Sequence, residues 1–477
     1  MNALLDIRIL GWLLVGIGLV EWVPLGAALV FGERLYPLAA GSLVSLVVGL
    51  SLALPVQPTD RTLRSRDAFL VVSLGWVLAS AFGAIPFVLA GVLGPIDALF
   101  ESVSGFTTTG SSVLVDIEVV PRSLLLWRAM TQWLGGMGII VFALAILPML
   151  GVGGMQLFKA EIASPTTDKL APRIAATARR LLFVYVGFSL AALLALWIAG
   201  MSFYEASCHA LSTLSTGGYS TRNASIGAFS PAVQWIVILF MVIGGINFAL
   251  HFRLLRGEIR AVLRDTELRY FATVLATASA LLAWLLFDAG LEPGSELRAA
   301  TFQVVSIATT TGFGTADFEQ WPVLATLVLV QLMVLGGMAG STSGGVKDVR
   351  VILGFQVLRN TVARALHPRS VGVVKYGGES VPIDVLAGVW SFLTAYVLLA
   401  LLATAVLTAA GFDLVSSATA ALTALGNVGP ALGQLGPSES FAEVPGHAKL
   451  VLAFCMLAGR LEIFTLLILF VPGFWRR

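Results

Sequence analysis

The residues in this 477-residue chain that could do chemistry are gathered in short polar, glycine-bearing stretches such as "ESVSGFTTTGSSVL" at 101–114 and "TTTGFGT" at 309–315. They offer hydroxyls and bare main-chain carbonyls. Neutral oxygens in a row suit one task, replacing the water shell of a cation. No Asp or Glu stands within a few residues before the glycines. That favours a monovalent ion over a divalent one, which takes carboxylates. Other chemistries find no footing. Cys208 and Cys455 lie far apart in apolar contexts and read as packing residues, and the four histidines show no ligand spacing. There is no phosphate-binding loop, dinucleotide fingerprint or metal motif. "GSTSGG" at 340–345 suggests a serine nucleophile, but the residue two before Ser343 is Ser341 and no histidine stands in a plausible span opposite it. We expect no enzyme, no organic cofactor and no nucleic-acid partner.

The polar stretches repeat. "PIDALFESVSGFTTTGSSV" (95–113), "SFYEASCHALSTLSTGGYST" (202–221), "ELRAATFQVVSIATTTGFGTADF" (296–318) and "DLVSSATAALTALGNVGPALG" (413–433) each give about ten helix-compatible residues, then a polar or small pair, then glycine. The alignment matches Thr108, Thr109 and Gly110 with Ser215, Thr216 and Gly217, with Thr310, Thr311 and Gly312, and with Asn427, Val428 and Gly429. Glycine accepts the backbone angles that aiming successive carbonyls inward requires. The C-terminal ends of four half-helices would favour positive charge between them.

Elements that hold such loops must be membrane helices. The chain is 57% hydrophobic and only 12% charged, too little charge for a soluble surface. Apolar runs of about 20 residues place ten spans near 9–31, 36–56, 68–93, 123–150, 178–200, 231–252, 269–290, 321–345 (interrupted), 384–410 and 447–472. "MNALLDIRIL" has no basic start or small-residue cleavage site and reads as a retained membrane helix. The Lys and Arg residues gather in 57–67, 151–180, 253–269 and 346–376, with Arg8, Arg476 and Arg477 at the ends. The positive-inside rule makes these cytoplasmic, along with both termini. The expected fold is an all-α polytopic membrane protein. It has a two-helix extension (1–67) and four helix–re-entrant loop–helix units (68–177, 178–268, 269–380 and 381–477) around one pore. A bare carbonyl in a bilayer is tolerable where it lines a watery path.

"GGMAGSTSGG" at 336–345 interrupts the third unit with Gly336, Gly337, Gly340, Gly344 and Gly345. Each glycine costs about 1 kcal/mol in a helix interior. The segment is either a helix end entering a cytoplasmic loop or a flexible loop below the carbonyls that blocks the path. Arg460 lies within the last span, where a charge is expensive. It either pairs with Glu462 or reaches the axis, bonds the 336–345 carbonyls and repels cations. Asp116, Glu118 and Asp317 read mainly as solvated surface, His209 and Glu205 as packing and hydrogen-bonding residues, and "GGMGII" (135–140) as a helix-packing site. Trp127, Trp133, Trp235 and Trp321 read as interface anchors.

The loops resemble degenerate copies of the potassium-channel signature Thr-Val-Gly-Tyr-Gly, "TTTGFGT" most of all. "TQWLGGMGIIVFALAILPMLGVGGMQLFKAE" (131–161), "GGINFALHF" (244–252) and "GGMAGSTSGGVKDVR" (336–350) are similar to the Trk/Ktr/HKT superfamily of potassium transporters, TrkH type. The resemblance covers nearly the whole chain. It implies a single chain folded as four channel-like repeats with filter glycines at Gly110, Gly217, Gly312 and Gly429. It also implies K+ as the transported ion, an intramembrane gating loop at 336–345, a homodimer in the bacterial inner membrane, and a cytosolic nucleotide-binding TrkA-type regulatory subunit. Segments 253–269 and 346–376 are candidate docking surfaces that also serve orientation and contact with membrane lipids. Some plant relatives with Ser at the first glycine favour sodium; Gly110 supports potassium. Asn427 and Pro430 depart from the signature, so the resemblance implies imperfect fourfold symmetry. An H+- or Na+-coupled secondary transporter is the alternative, though that class usually shows two repeats.

Overall fold

The computed structural model describes residues 3–56, 65–145, 170–287, 295–369 and 372–476. Among them the only sheet is an antiparallel hairpin, Lys375–Tyr376 with Glu379–Ser380. Gly377 and Gly378, at φ +59° and +91°, turn it. Among the described residues seven helices are long and apolar enough to span a bilayer, or nine if two sharply bent pairs each count as one span. Val323–Leu335 is too short, at roughly 20 Å for a core of about 30 Å.

Within the described residues each of the ten predicted spans meets a helix, positions 146–150 and 288–290 of two of them lying outside, but three spans are broken and only one break was expected. Pro231–Gly245 meets Phe248–Leu255 at 101°. The carbonyls of Gly244 and Gly245 accept from Thr342 N (3.2 Å) and Met338 N (3.1 Å) of a distant segment. The Asn247 side chain then caps the next helix at Ala249 N, 2.8 Å away. Gly446–Arg460 meets Phe464–Phe470 at 112°. The turn there places Glu462 and Ile463 at φ +61° and +49°, an uncommon region for residues with side chains and least so for glycine.

The order long helix, short helix, loop, helix occurs four times. Ser65–Gly83, Pro95–Phe106 and Arg122–Ala145 form the first unit; Leu170–Ile198, Phe203–Leu214 and Pro231–Gly245 the second. Thr266–Phe287, Ser295–Ala308 and Val323–Leu335 form the third; Ile383–Ala409, Leu414–Gly426 and Gly446–Arg460 the fourth. The short helices have 12 to 14 residues and cannot cross. Their starts are built from familiar parts. Pro95 opens the first, and Ser202 and Asp413 cap the second and fourth through Glu205 N, Val415 N and Ser416 N.

Two large apolar cores hold the units together, with a smaller third around Val349, Leu353, Tyr376 and Val389. One joins the N-terminal helices to the first and fourth units; the other joins the second and third. Ala3–Val20 lies against Tyr36–Ala53 at glycine contact: a Cβ on Gly11 would stand 2.7 Å from Ala53 N and Gly49 O. "GGMGII" is a packing site as read, since Cβ atoms on Gly136 and Gly138 would meet Tyr185 Oη (2.6 Å) and the Trp76 ring (2.8 Å). Outward-facing residues such as Val397, Leu398, Leu401 and Leu402 are exposed, as a lipid-facing surface requires. Trp127 corrects an expectation. It is wholly buried, with Nε1 donating to Gly83 O at 3.0 Å, and is a core residue rather than an anchor. Trp133 likewise turns inward, stacked on Tyr185 and bonded to Ser189 Oγ at 3.0 Å.

Candidate functional site

The four short helices end alike. Thr108, Thr216, Thr310 and Asn427 stand in the left-handed region at φ +54°, +52°, +56° and +53°. In each case that residue's N–H bonds the carbonyl three back, as Thr108 does to Gly105 O at 2.9 Å. The next N–H bonds the carbonyl five back: Thr109 to Ser104, Gly217 to Ser212, Thr311 to Ser306 and Val428 to Thr423, at 2.8–3.0 Å. This is the Schellman ending, with Thr or Asn where glycine is usual. A β-branched residue in that region is strained, by order 1–3 kcal/mol.

The strands that follow close into a ring. A Cβ on Gly110 would overlap the carbonyl oxygen of Gly217, one on Gly218 that of Thr311, and one on Gly312 that of Val428. A Cβ on Gly429 would stand 2.9 Å from the Thr109 oxygen, which completes the cycle first to second to third to fourth to first. These glycines have φ of +87°, +81°, +81° and +114°. Glycine is therefore required twice over, by backbone angle and by contact. The ring corrects the sequence register of the second loop. Gly218, not Gly217, stands with Gly110, Gly312 and Gly429. Gly217 stands one place earlier, and Ser215 belongs to the end of the short helix. Two successive glycines left the alignment free to slip by one, and only the backbone angles choose. Asn427 departs in type but not in backbone. Its Nδ2 donates to Thr109 Oγ1 and Met456 O, both at 2.9 Å.

Every seam of the ring is also tied by hydrogen bonds. Tyr219 Oη donates to Glu101 O (2.8 Å), Gly227 N to Gly314 O (3.1 Å), Gly433 N to Glu319, and Ser111 Oγ to Gly429 O (2.8 Å). Behind the first seam lies a buried ion pair that sequence reading missed. Arg128 Nε meets Glu101 Oε1 at 2.5 Å, and its guanidinium lies 3.5 Å from the Tyr219 ring centroid. The other Glu101 oxygen accepts Val113 N at 2.9 Å. His209 is wholly buried and bonds Glu205 O (2.8 Å) and Ser220 Oγ (2.9 Å). At the surface Arg222 pairs with Glu205 at 2.7 Å, and these hydrogen bonds raise the guanidinium above its ordinary range. Asp116 accepts from Asn223 Nδ2 at 2.8 Å, and Asp317 caps a short turn. Both Cys208 and Cys455 are free and buried.

Segment 336–345 is neither a cytoplasmic helix end nor loosely held. It lies buried against the ends of the short helices. Gly344 N donates to Thr310 Oγ1 (2.7 Å), Gly345 N to Gly426 O (2.9 Å), and Thr342 Oγ1 to Leu214 O (3.0 Å). Gly336, Gly340 and Gly345 take φ near +75°, Gly340 O accepts Phe248 N (3.1 Å), and Gly337 O accepts Asp348 N (3.4 Å). Arg460 Nη1 donates to Thr342 O at 2.7 Å, and Nη2 reaches Gly135 O at 3.4 Å. All four units therefore touch the segment directly or through Arg460. Glu462 does not pair with Arg460; it pairs with Arg350. Lys347 bonds Ser343 O and holds φ +76°. Both Lys347 and Arg350 are buried, which removes them from the docking surface the sequence suggested. A small cavity of about 20 Å³ lies between Ser343, Lys347, Arg460 and Glu462.

A polytopic helical bundle with a closed ring of neutral oxygens at its centre is a membrane protein of the cation-transport class. The family described as "TrkH: Cation transport protein" matches residues 38–476. The chain belongs to that family. It is 42% identical over 443 residues to "Trk system potassium uptake protein TrkH" of Salmonella typhimurium, covering 91% of each chain. It is 41% identical to the protein of the same name from Halomonas elongata, over the whole of both. The crystal structure titled "Crystal Structure of the Potassium Transporter TrkH from Vibrio parahaemolyticus" superposes with a TM-score of 0.92 at 38% identity, covering both chains fully.

Proposed function

We propose that this chain takes up potassium across the bacterial cytoplasmic membrane through a channel-like pore, with both termini in the cytoplasm. Its filter strands are Thr108–Gly110, Thr216–Gly218, Thr310–Gly312 and Asn427–Gly429. The observation that carries the reading is the closed four-membered cycle of glycine against neighbouring carbonyl. Main-chain oxygens gathered so closely can replace an ion's hydration shell, and the four short-helix C-termini favour positive charge beside them. The names of the relatives support potassium as the ion. The pore units divide at 67, 177, 268 and 380.

In this reading segment 336–345 is the gate, held shut by Arg460 from the fourth unit. Exposed Arg256, Arg260, Arg264, Arg359 and Arg364 form the cytoplasmic surface on which a TrkA-type nucleotide-binding subunit docks, and the protein works as a homodimer. The test is flux of potassium and sodium in liposomes before and after Gly312→Ser. The Ser Cβ meets the Val428 oxygen at a left-handed backbone, so rate and selectivity should both fall. Native values for both would remove the filter. The same liposomes separate a channel from a coupled transporter: channel flux follows the electrochemical gradient with no dependence on H+ or Na+.

A further inference from the structure

The ring has one odd member. Thr109, Thr311 and Val428 occupy three of its four carbonyl positions, and each is β-branched; the fourth is Gly217. The same position differs in a second way. Of the four carbonyls that face a neighbouring strand's glycine, Gly217's is the one that, among the described residues, accepts a side-chain hydrogen bond, from Gln132 Nε2 at 2.5 Å. Gln132 comes from helix Arg122–Ala145 of the neighbouring unit and is wholly buried.

The two peculiarities fit each other. A Cβ on Gly217 would overlap the Gln132 carboxamide carbon, so the amide fills the space that a side chain fills in the other three strands. The remaining contacts fix the amide's orientation. Gln132 Oε1 accepts Tyr219 N at 3.1 Å and the Ser212 hydroxyl. Only an orientation with oxygen toward these two donors and nitrogen toward Gly217 O serves all three bonds. Gln132 thereby ties the end of the short helix, the ring and the outer end of the strand. Two consecutive glycines make this the least constrained strand of the four. A carbonyl oxygen has two lone pairs, so the bond from Gln132 leaves one for an ion.

We infer that Gln132 is a positioning residue for ion selectivity: a side chain borrowed from the first unit that holds the second filter strand in place of the side chain Gly217 lacks. The inference rests on the filter reading above. A strand freed of this clamp adapts its ring to a smaller ion, so discrimination falls before total flux does. Gln132 acts from behind the ring, and its loss is therefore made good by restoring bulk at position 217.

The experiment compares K+, Rb+ and Na+ flux in liposomes for purified native protein, Gln132→Glu, Gln132→Ala, Gly217→Ala, the Gln132→Ala/Gly217→Ala double variant, and Gly312→Ser. Gln132→Glu keeps size and both accepted bonds and, when ionised, has no donor for Gly217 O; its flux is read across a pH series, because a protonated carboxyl would restore a donor there. The ionised form should lower the K+/Na+ flux ratio about fivefold to tenfold, the loss of roughly one hydrogen bond. Gly217→Ala alone should lower flux, because its Cβ strikes Gln132, while the double variant should regain a ratio above that of Gln132→Ala. A native ratio in monodisperse Gln132→Ala overturns the inference, as does a double variant no better than either single one. If Gly312→Ser alters selectivity and the Gln132 variants do not, the filter stands and the clamp falls. If none of them alters it, the filter reading itself falls.

Discussion

Replacing Arg460 by Ala tests the gate most directly, and its size can be worked from the contacts. The side chain is 2% exposed and makes one strong bond to the segment, Nη1 to Thr342 O at 2.7 Å. A hydrogen bond from a charged donor contributes about 1.5–3 kcal/mol. The 3.4 Å approach to Gly135 O adds little. Loss of the guanidinium should therefore shift the closed-to-open ratio of the segment by roughly tenfold to a hundredfold. The ties of Gly344 to Thr310 and Gly345 to Gly426 survive, which places the effect toward the lower end. Removing a positive charge from the proposed cation path would act in the same direction. The assay is potassium uptake into liposomes at matched protein density, with Arg460→Gln beside Arg460→Ala. Gln keeps a donor but no charge, so an intermediate flux shows that both parts matter. Unchanged or lower flux for monodisperse Arg460→Ala refutes the reasoning, since the bond to Thr342 would then not hold the path closed.

Lys347→Met should also raise flux, by less than Arg460→Ala, because it removes the bond to Ser343 O but leaves Arg460 in place; equal flux to native protein removes Lys347 from the latch. Glu101→Gln leaves Arg128 as an uncompensated buried charge and should cost about 3–5 kcal/mol, seen as a lower thermal unfolding midpoint in detergent. A midpoint unmoved there means the pair is dispensable. Gly135→Ala sets a Cβ into the carbonyl oxygen of Phe106 and should destabilise by about 1–3 kcal/mol through overpacking; thermal unfolding of the purified variant reads this, and native stability would show that the two helices separate freely.

Much of the membrane scaffold was legible because it depends on local properties. Apolar runs of spanning length and clustered Lys and Arg report on transfer to lipid, residue by residue. The four short helices were legible as repeats, since each copy keeps its length and its glycine. The second loop was not placed correctly, because Gly217 and Gly218 are chemically the same and only the ring distinguishes them. The left-handed Thr108, Thr216 and Thr310 carry no local signal at all. Their own preference is against that angle; the Schellman bonds back into the same short helix and the close contacts between neighbouring strands override it.

The sequence by itself determined that this is a multi-span membrane protein that repeats one pattern of short helix and glycine-bearing loop four times. It did so because hydropathy, repetition and residue type are properties of the chain alone. The tertiary structure decided which side chain answers which. It gave Arg350 rather than Arg460 to Glu462, carried Lys347 inward, broke two helices whose carbonyls or termini were needed elsewhere, and brought Gln132 to Gly217. Those choices are between partners tens or hundreds of residues apart, and in a low-dielectric interior a buried charge or amide takes whichever partner the packing brings within reach.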